Sequence, residues 1–89
     1  MTSRTTERFR KAFRKLPPNV QRQARAAYRL WMRDPSHPSL QFKRVHAKEP
    51  IYSVWVGLGW RAVGVRSDDT VVWFWIGSHA EYDNLLSSL

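Results

Sequence analysis

The spacing of hydrophobic positions changes once along the chain, close to residue 40. Before this point apolar residues recur every three or four positions, which is the period of a helix with one buried face. The pattern predicts helices over about 6–16 and 18–33, separated by Pro17-Pro18, where a helix cannot continue. Because the connection is so short, the two helices are predicted to form an antiparallel hairpin.

β-Branched and aromatic residues dominate the second half of the chain, which is typical of strands. Four segments are predicted to be strands: 40–46, 51–56, 60–66 and 70–76. Short turns between them predict an antiparallel meander. Ser78 and Glu81 then form a capping-box pattern that begins a short last helix. The chain is therefore predicted to be a single α+β domain over 1–89, with a helical hairpin packed on an antiparallel sheet of about four strands.

The same periodicity predicts which side chains form the core. Eight residues are expected to be largely buried: Phe9, Phe13, Val20, Tyr28, Trp31, Val54, Val63 and Phe74. Trp73 and Trp75 are also expected in the core, since small domains bury aromatic side chains first. Trp55 or Trp60 is expected to be the exposed tryptophan.

Basic residues are concentrated at the N-terminal end. Residues 1–33 contain ten of the fifteen Lys and Arg and one acidic residue, whereas residues 34–89 contain five basic and six acidic residues. The first third therefore has a formal charge of +9 and the remainder −1. A helical segment with this excess of positive charge indicates a polyanionic partner, either RNA or an acidic protein.

The chain contains no cysteine, which excludes disulfides and thiolate metal ligands. Its three histidines are far apart in sequence and form no metal-binding signature. No N-terminal run has the apolar core of a signal peptide, and no apolar stretch is long enough to span a bilayer. We therefore expect a cytoplasmic protein that needs no metal, no small-molecule cofactor and no membrane.

Six short motifs follow one another along the chain: Phe13-x-x-Leu16-Pro17, Asp34-Pro35-x-His37-Pro38-Ser39-Leu40, Tyr52-Ser53-Val54, Trp60-Arg61-Ala62-Val63, Asp68-Asp69-Thr70 and Ile76-Gly77-Ser78-His79-x-x-Tyr82-Asp83. Each motif is weak alone. In this order and at this chain length they resemble the RelE/ParE superfamily of bacterial type II toxins, and the resemblance covers almost the whole chain.

This resemblance implies a toxin that is held inactive by a small antitoxin protein from the same operon. Many members of the superfamily cleave messenger RNA, commonly in the ribosomal decoding site, whereas a ParE-like branch poisons DNA gyrase. The RelE-like nucleases use no metal, because the 2′-OH of the RNA attacks the neighbouring phosphate. Such a site needs an acid, a base and cations that stabilise the pentavalent transition state.

The chain departs from the family pattern in two places. Family members commonly begin with a strand, but residues 1–6 are short and polar, so an edge strand is expected to be reduced or missing. Nucleases of the family often carry Lys or Arg on the strand that corresponds to 51–56. The chain has Ser53 and Trp55 there, so two phosphate contacts are expected to be absent.

Three residues are candidates for catalysis. His79 opens the last helix, where some family nucleases place a catalytic histidine; the alternative is a ring that only caps or packs at that corner. Arg61 matches an arginine that contacts the scissile phosphate in the family; the alternative is a structural ion pair with Glu49 or Asp83. Tyr82 is a candidate for base stacking or phosphate binding; the alternative is a core aromatic residue.

Seven further residues are candidates for binding nucleic acid: Lys43, Arg44, His46, Lys48, Arg22, Arg25 and Arg29. The first four lie on or beside the segment 40–46. The last three belong, with Arg33, to a stripe at helical spacing that is expected to be exposed. For each of these residues an ordinary solvated surface position is the alternative.

Two hypotheses about function follow. The first is a toxin that acts as a ribosome-dependent mRNA endonuclease, with Arg61 and His79 in the active site. The second is a non-catalytic interaction protein with the same fold, either a gyrase-directed poison or an inactive module that binds an antitoxin. His79 favours the first hypothesis, whereas Ser53 and Trp55 favour the second.

Overall fold

Three helices and five strands make up the computed structural model, which describes residues 1–89. In chain order they are β1 (Thr2–Thr5), α1 (Glu7–Arg14), α2 (Pro18–Arg33), β2 (Lys43–Arg44), β3 (Ile51–Gly57), β4 (Trp60–Ser67), β5 (Thr70–Ser78) and α3 (His79–Ser88). A single 3₁₀ turn, Pro38–Leu40, precedes β2. None of the helices is both long and apolar enough to cross a membrane. The predicted α+β class, with its helical hairpin and short last helix, is confirmed.

The five strands form one sheet in the order β1-β5-β4-β3-β2. β2 to β5 are antiparallel to their neighbours, as predicted, but β1 runs parallel to β5 and pairs Thr2 with Thr70 and Thr5 with Trp73. The expectation of a reduced or missing edge strand is therefore corrected. The sequence does not predict this strand because its residues are polar. An edge strand is held by its backbone hydrogen bonds, and most of its side chains face solvent.

The first predicted strand, 40–46, is much shorter than its pattern suggested. Leu40 closes the 3₁₀ turn with its side chain buried, and Gln41 adopts a left-handed conformation with φ of 46°. Extended pairing therefore begins only at Lys43, which lies opposite Ser53, and ends at Arg44. The backbone therefore curves around the buried Leu40 side chain in the first part of the segment that was predicted to be extended.

The larger core lies between the helical hairpin and one face of the sheet, which we call the helix-side face. Trp31 of α2 is its centre and is only 1% exposed. Its ring meets Trp73 of β5 edge-on, with 5.4 Å between centroids, and Phe42 edge-on at 5.6 Å. Such perpendicular aromatic pairs stabilise a core beyond the area that they bury.

α3 covers the opposite face of the sheet, which we call the α3-side face. Ile51, Val63 and Tyr82 form a second, smaller core there. A bulge in β5 directs its aromatic residues to both faces: Trp73 lies opposite Gly64 and Trp75 opposite Val63, so Phe74 is an extra residue. Trp73 therefore joins the helix-side core, whereas Phe74 and Trp75 pack against the α3-side core.

The predicted core is confirmed in part. Val20, Trp31, Val54 and Val63 are buried, and Phe9, Phe13 and Phe74 are half-buried. The prediction for Tyr28 was wrong, since this residue is 45% exposed. Its hydroxyl lies 2.6 Å from the Ser3 Oγ, so it reaches outward to the edge strand rather than into the sheet.

Replacing Trp31 with Ala is expected to lower the free energy of unfolding by about 3–5 kcal/mol, because it leaves a large cavity at the centre of the helix-side core. Met32→Ala is the matched control: it lies next in the same helix but is 43% exposed, so the change should stay within about 0.5 kcal/mol. Chemical denaturation followed by circular dichroism measures both. Equal losses for the two variants would contradict the assignment of the buried helix face.

Candidate functional site

A capping box fixes the point where β5 becomes α3. The Ser78 Oγ accepts a hydrogen bond from the Glu81 backbone N–H at 3.2 Å, and Glu81 Oε1 accepts one from the Ser78 backbone N–H at 3.0 Å. The Ser78 hydroxyl donates to the same carboxylate oxygen at 2.9 Å. The predicted capping box is thus confirmed, and it places the first helical residue, His79, directly after the last residue of β5.

His79 is half-exposed and is paired with an acidic residue one turn further along α3. Its Nδ1 lies 3.3 Å from Asp83 Oδ2, and its ring meets the Tyr82 ring edge-on, with centroids 6.2 Å apart. When Nδ1–H donates to Asp83, Nε2 is the nitrogen left to exchange a proton with another molecule. The arrangement is that of an oriented imidazole with one open side.

Tyr82 is a buried member of the α3-side core. Its hydroxyl donates a 3.0 Å hydrogen bond to the Ser53 Oγ, and Ser53 is itself buried. The pair joins α3 to the middle of β3. Tyr82 therefore has its phenolic proton directed into the protein, and Ser53 occupies its position as a hydrogen-bond partner of this tyrosine.

Arg61 is buried, with 4% of its surface exposed, and holds the β3–β4 turn. Its Nη1 donates to the carbonyl oxygens of Gly57, Leu58 and Trp60 at 2.9, 3.1 and 2.8 Å. Its guanidinium also stacks on Trp55, with Cζ 4.3 Å from the ring centroid. Burial lowers the pKa of the Arg61 guanidinium, while Tyr82 and Asp83 nearby act in the opposite direction.

The anticipated ion pair of Arg61 with Glu49 or Asp83 does not form; the only ion pairs in the chain join Lys11 to Glu7 and His79 to Asp83. Backbone carbonyls take the place of the carboxylate. This also changes what an Arg61→Ala variant reports, because removing the side chain leaves three carbonyls and one aromatic face without their cation.

The four predicted nucleic-acid-binding residues near β2 divide into two kinds. Arg44 donates to the carbonyls of His46, Lys48 and Glu49, and the His46 Nδ1 accepts from the backbone N–H groups of Lys48 and Glu49. Arg44 and His46 thus shape the β2–β3 loop. Lys43 and Lys48 have exposed side chains, and Lys43 lies opposite Ser53 and so belongs to the α3-side face.

The arginine stripe of α2 lies on the other side of the sheet from His79. Arg22, Arg25, Arg29 and Arg33 are all exposed, as expected. Two of them border a cleft of about 290 Å³ between α1, α2 and the sheet. The cleft is lined mainly by apolar side chains, among them Phe9, Phe13 and Tyr28, and Arg25 stacks on Phe13 at 5.1 Å. No acidic residue lines it.

No group of three or more His, Cys, Asp or Glu side chains is placed to hold a metal ion. The chemical groups brought together on the α3-side face are the His79–Asp83 pair, the buried Tyr82 hydroxyl, and Arg61 beneath Trp55. Of these groups, the His79 imidazole can exchange a proton with another molecule, and the Arg61 guanidinium is a cation covered by the Trp55 ring.

Comparison with solved structures identifies the fold. The chain matches the RelE of a RelB–RelE antitoxin–toxin complex from Methanococcus jannaschii with a TM-score of 0.73 at 13% identity, covering 92% of this chain and 96% of that one. YafQ from Escherichia coli BL21(DE3) matches with a TM-score of 0.71 at 10% identity, covering 90% and 94%. The isolated E. coli RelE toxin matches with 0.65 at 18% identity, covering 99% and 98%.

The family follows from the sequence itself. The model of the ParE-like toxin domain matches residues 18–84, which is most of the chain. The chain belongs to the ParE-like toxin domain family. No curated protein matches it in sequence. The resemblance to the RelE/ParE superfamily is thus confirmed for this ParE-like domain, and its structural relatives share its fold.

Three features of this ParE-like domain were missed in the sequence. The His79–Asp83 pair could have been predicted from the sequence, since residues four apart on a helix face the same side. The Trp55–Arg61 stack could have been predicted too, because the two residues flank the turn at Gly57 to Gly59 and become cross-strand partners. The Tyr82–Ser53 bond joins residues 29 positions apart and has no local signal.

The capping box of the ParE-like domain makes its stability depend on pH. Hydrogen bonds from the Ser78 backbone and hydroxyl lower the pKa of Glu81 below its ordinary value of 4.5. A carboxylate with a lowered pKa in the folded state stabilises the protein above pH 4.5, and this contribution is lost as the pH falls through the folded-state pKa. Because Glu81 is exposed, the contribution is expected to stay below about 1 kcal/mol.

Glu81→Gln tests this, since it keeps an acceptor but removes the charge. The difference in free energy of unfolding between wild type and Glu81→Gln should be largest near neutral pH and disappear in acid. Glu49→Gln is the matched control, because Glu49 is also exposed and its carboxylate makes no hydrogen bond or ion pair. A difference that persisted unchanged at acid pH would contradict the role of the charge.

Proposed function

We propose that this ParE-like domain is the toxin of a type II toxin–antitoxin system and acts as a metal-independent, ribosome-dependent mRNA endonuclease. The observation that carries the proposal is the His79–Asp83 pair at the open end of α3, with one imidazole nitrogen directed away from its carboxylate. Family membership supports the toxin role.

In the proposed reaction the 2′-OH of one nucleotide attacks the adjacent phosphate. The oxygen–phosphorus bond to the next nucleotide breaks, so the 2′-OH loses a proton and the departing 5′-oxygen gains one. His79 mediates proton transfer through Nε2, as the acid or the base. Asp83 orients the ring and stabilises the imidazolium, as a carboxylate does for a histidine that carries a proton in the reaction.

Tyr82 and Arg61 support this site rather than supply a free proton or charge. The Tyr82–Ser53 hydrogen bond anchors the first turns of α3 to β3 and thereby holds His79 in position. Arg61 keeps the β3–β4 turn in place and contributes its field from beneath Trp55. Lys43 is the exposed cation on the same face and is the residue we assign to phosphate binding.

One observation favours a second candidate function. Ser53 and Trp55 provide no charge, and the Arg61 Nη1 is fully used by three carbonyls. A face with so little free positive charge also fits a non-catalytic interaction protein, either a gyrase-directed poison or a module that only binds an antitoxin. Primer extension on translated mRNA separates the two functions.

His79→Ala is expected to reduce ribosome-dependent cleavage by about 10²–10⁴-fold and to relieve growth arrest on expression, since it removes the acid or base. The measurement is primer extension on translated mRNA, together with thermal unfolding of each variant. Asn84→Ala is the control, as it alters an exposed residue of the same helix.

Arg61→Ala is unsuitable for this test, because it also removes the turn's hydrogen bonds. Absence of cleavage by folded wild type would reject the nuclease and leave the interaction protein. Equal cleavage by wild type and His79→Ala would reject His79 as the proton-transfer residue.

The cleft between α1 and α2 is the place where we propose that the antitoxin binds. Half-buried aromatic side chains line it, Arg25 and Arg29 border it, and no carboxylate opposes them. An amphipathic segment with acidic residues beside its apolar face complements such a cleft in shape and charge. The RelE of M. jannaschii, which shares this fold, was solved with its antitoxin RelB.

The arginine stripe of α2 allows the antitoxin to be distinguished from RNA. Replacing Arg25 and Arg29 with Glu should weaken antitoxin binding strongly, whereas replacing Arg22 and Arg33, which lie outside the cleft, should weaken it little. Binding to ribosomes should fall with both pairs and lose salt dependence, by about 0.7–0.9 in logarithmic slope for each phosphate contact removed.

Pull-down with the protein encoded by the neighbouring open reading frame measures the first effect, and ribosome pelleting across a salt series measures the second. If both pairs weakened antitoxin binding equally, the cleft would have no special role. If neither pair changed ribosome binding, the stripe would be ordinary solvated surface.

A further inference from the structure

Trp55 occupies an unusual position on the α3-side face. It lies on β3 beyond the end of β2, which pairs only with Tyr52 and Ser53, so no strand flanks it on that side. Across the sheet its partner is Arg61 of β4. An indole in this position stands at an open corner of the sheet, on the same face as His79.

One face of the Trp55 ring carries a cation. The guanidinium of Arg61 covers this face, with Cζ 4.3 Å from the centroid. None of the ring–ring contacts in the protein involves Trp55, and no second cation stacks on it. The side chain is partly exposed, whereas Arg61 is almost completely buried. A molecule that approaches this corner therefore meets the indole before it meets the cation.

We propose that Trp55 is a stacking platform for a nucleobase of single-stranded RNA, with a preference for purines. The proposal rests on the proposed function, since it assumes that the α3-side face receives RNA. Every base has a π-face that can stack on an aromatic ring, and the contact is worth about a 5- to 150-fold change in affinity for each base. Purines present the larger stacking surface.

This role explains how the face binds RNA with so few free cations. Because the indole covers the buried guanidinium, Arg61 is not available for a salt-sensitive phosphate contact. A base that stacks on the indole makes a contact that salt affects little. Lys43 remains the exposed cation of the face. Binding here is therefore expected to depend weakly on salt and clearly on base identity, in contrast to binding at the arginine stripe of α2.

The experiment uses the full chain and 2′-O-methyl hexanucleotides of adenosine or uridine, which lack the attacking hydroxyl and are not cleaved. Fluorescence anisotropy gives the affinities of wild type, Trp55→Phe and Trp55→Leu. Trp60→Leu is the matched control, because it removes a partly buried indole that packs on the helix-side core. Thermal unfolding establishes that each variant is folded.

Trp55→Phe is expected to bind the adenosine hexamer within about threefold of wild type, and Trp55→Leu about 5- to 150-fold more weakly. The preference of wild type for adenosine over uridine should disappear in Trp55→Leu and persist in Trp60→Leu. RNA should also quench tryptophan fluorescence in wild type and much less in Trp55→Phe, which keeps the test valid if Trp55→Leu does not fold.

Unchanged affinity of folded Trp55→Leu would overturn the proposal, as would equal losses in Trp55→Phe and Trp55→Leu. These measurements involve neither ribosomes nor cleavage. If the predicted stacking pattern were found with a wild type that does not cut mRNA, the platform would stand and the nuclease would fall. If cleavage were lost in His79→Ala but unchanged in Trp55→Leu, the nuclease would stand and the platform would fall.

Discussion

Burial of both faces of β5 is the constraint on which the rest of the structure depends. β5 is flanked by β1 and β4, and its apolar run supplies side chains to two separate cores. The helical hairpin must cover one face and α3 the other, because both faces of the strand carry apolar side chains whose exposure to water is unfavourable. The bulge at Phe74 makes this possible, because it turns Trp73 and Trp75 to opposite sides. The exposed arginines of α2 thus lie on one side of the sheet and α3 on the other.

The continuity of β5 with α3 determines where chemistry is possible. Ser78 is both the last residue of the strand and the N-cap of the helix, so His79 cannot move independently of the sheet. Two further contacts hold the corner: Gly77 lies beneath the Trp75 ring, where a Cβ would approach ring carbons to 2.8 Å, and Tyr82 is bonded to Ser53. A histidine placed on such a rigid junction is positioned by packing rather than by a flexible loop.

The electrostatic design differs between the two faces. The helix-side surface carries most of the positive charge on exposed arginines, which suits attraction of a polyanion over a distance. On the α3-side face the central cation, Arg61, is used inside the protein to hold a turn. In the function proposed above, affinity and chemistry would lie on opposite sides of one sheet, and the α3-side face would use an imidazole, an indole and one lysine.

Much of the fold follows from the sequence alone. The bounds of α2, the three long strands and the capping box have strong local signals: a proline at each end of a helical period, turn residues between β-branched runs, and Ser78 three residues before Glu81. The charge asymmetry and the position of His79 at a helix start are likewise read directly from the residues. These features depend on neighbours in the chain, and local physics suffices to predict them.

Only the tertiary structure decided the rest, because it depends on residues far apart in sequence. β1 has a polar sequence and exists because β5 offers it an edge. Tyr28 follows the helical period of the core and is nevertheless exposed, since α1 and α2 leave a cleft between them. Whether Arg61 faces a substrate or the backbone depends on how the turn folds back over it. Periodicity says which side of an element an amino acid occupies, but the partner that meets that side is chosen by three-dimensional packing.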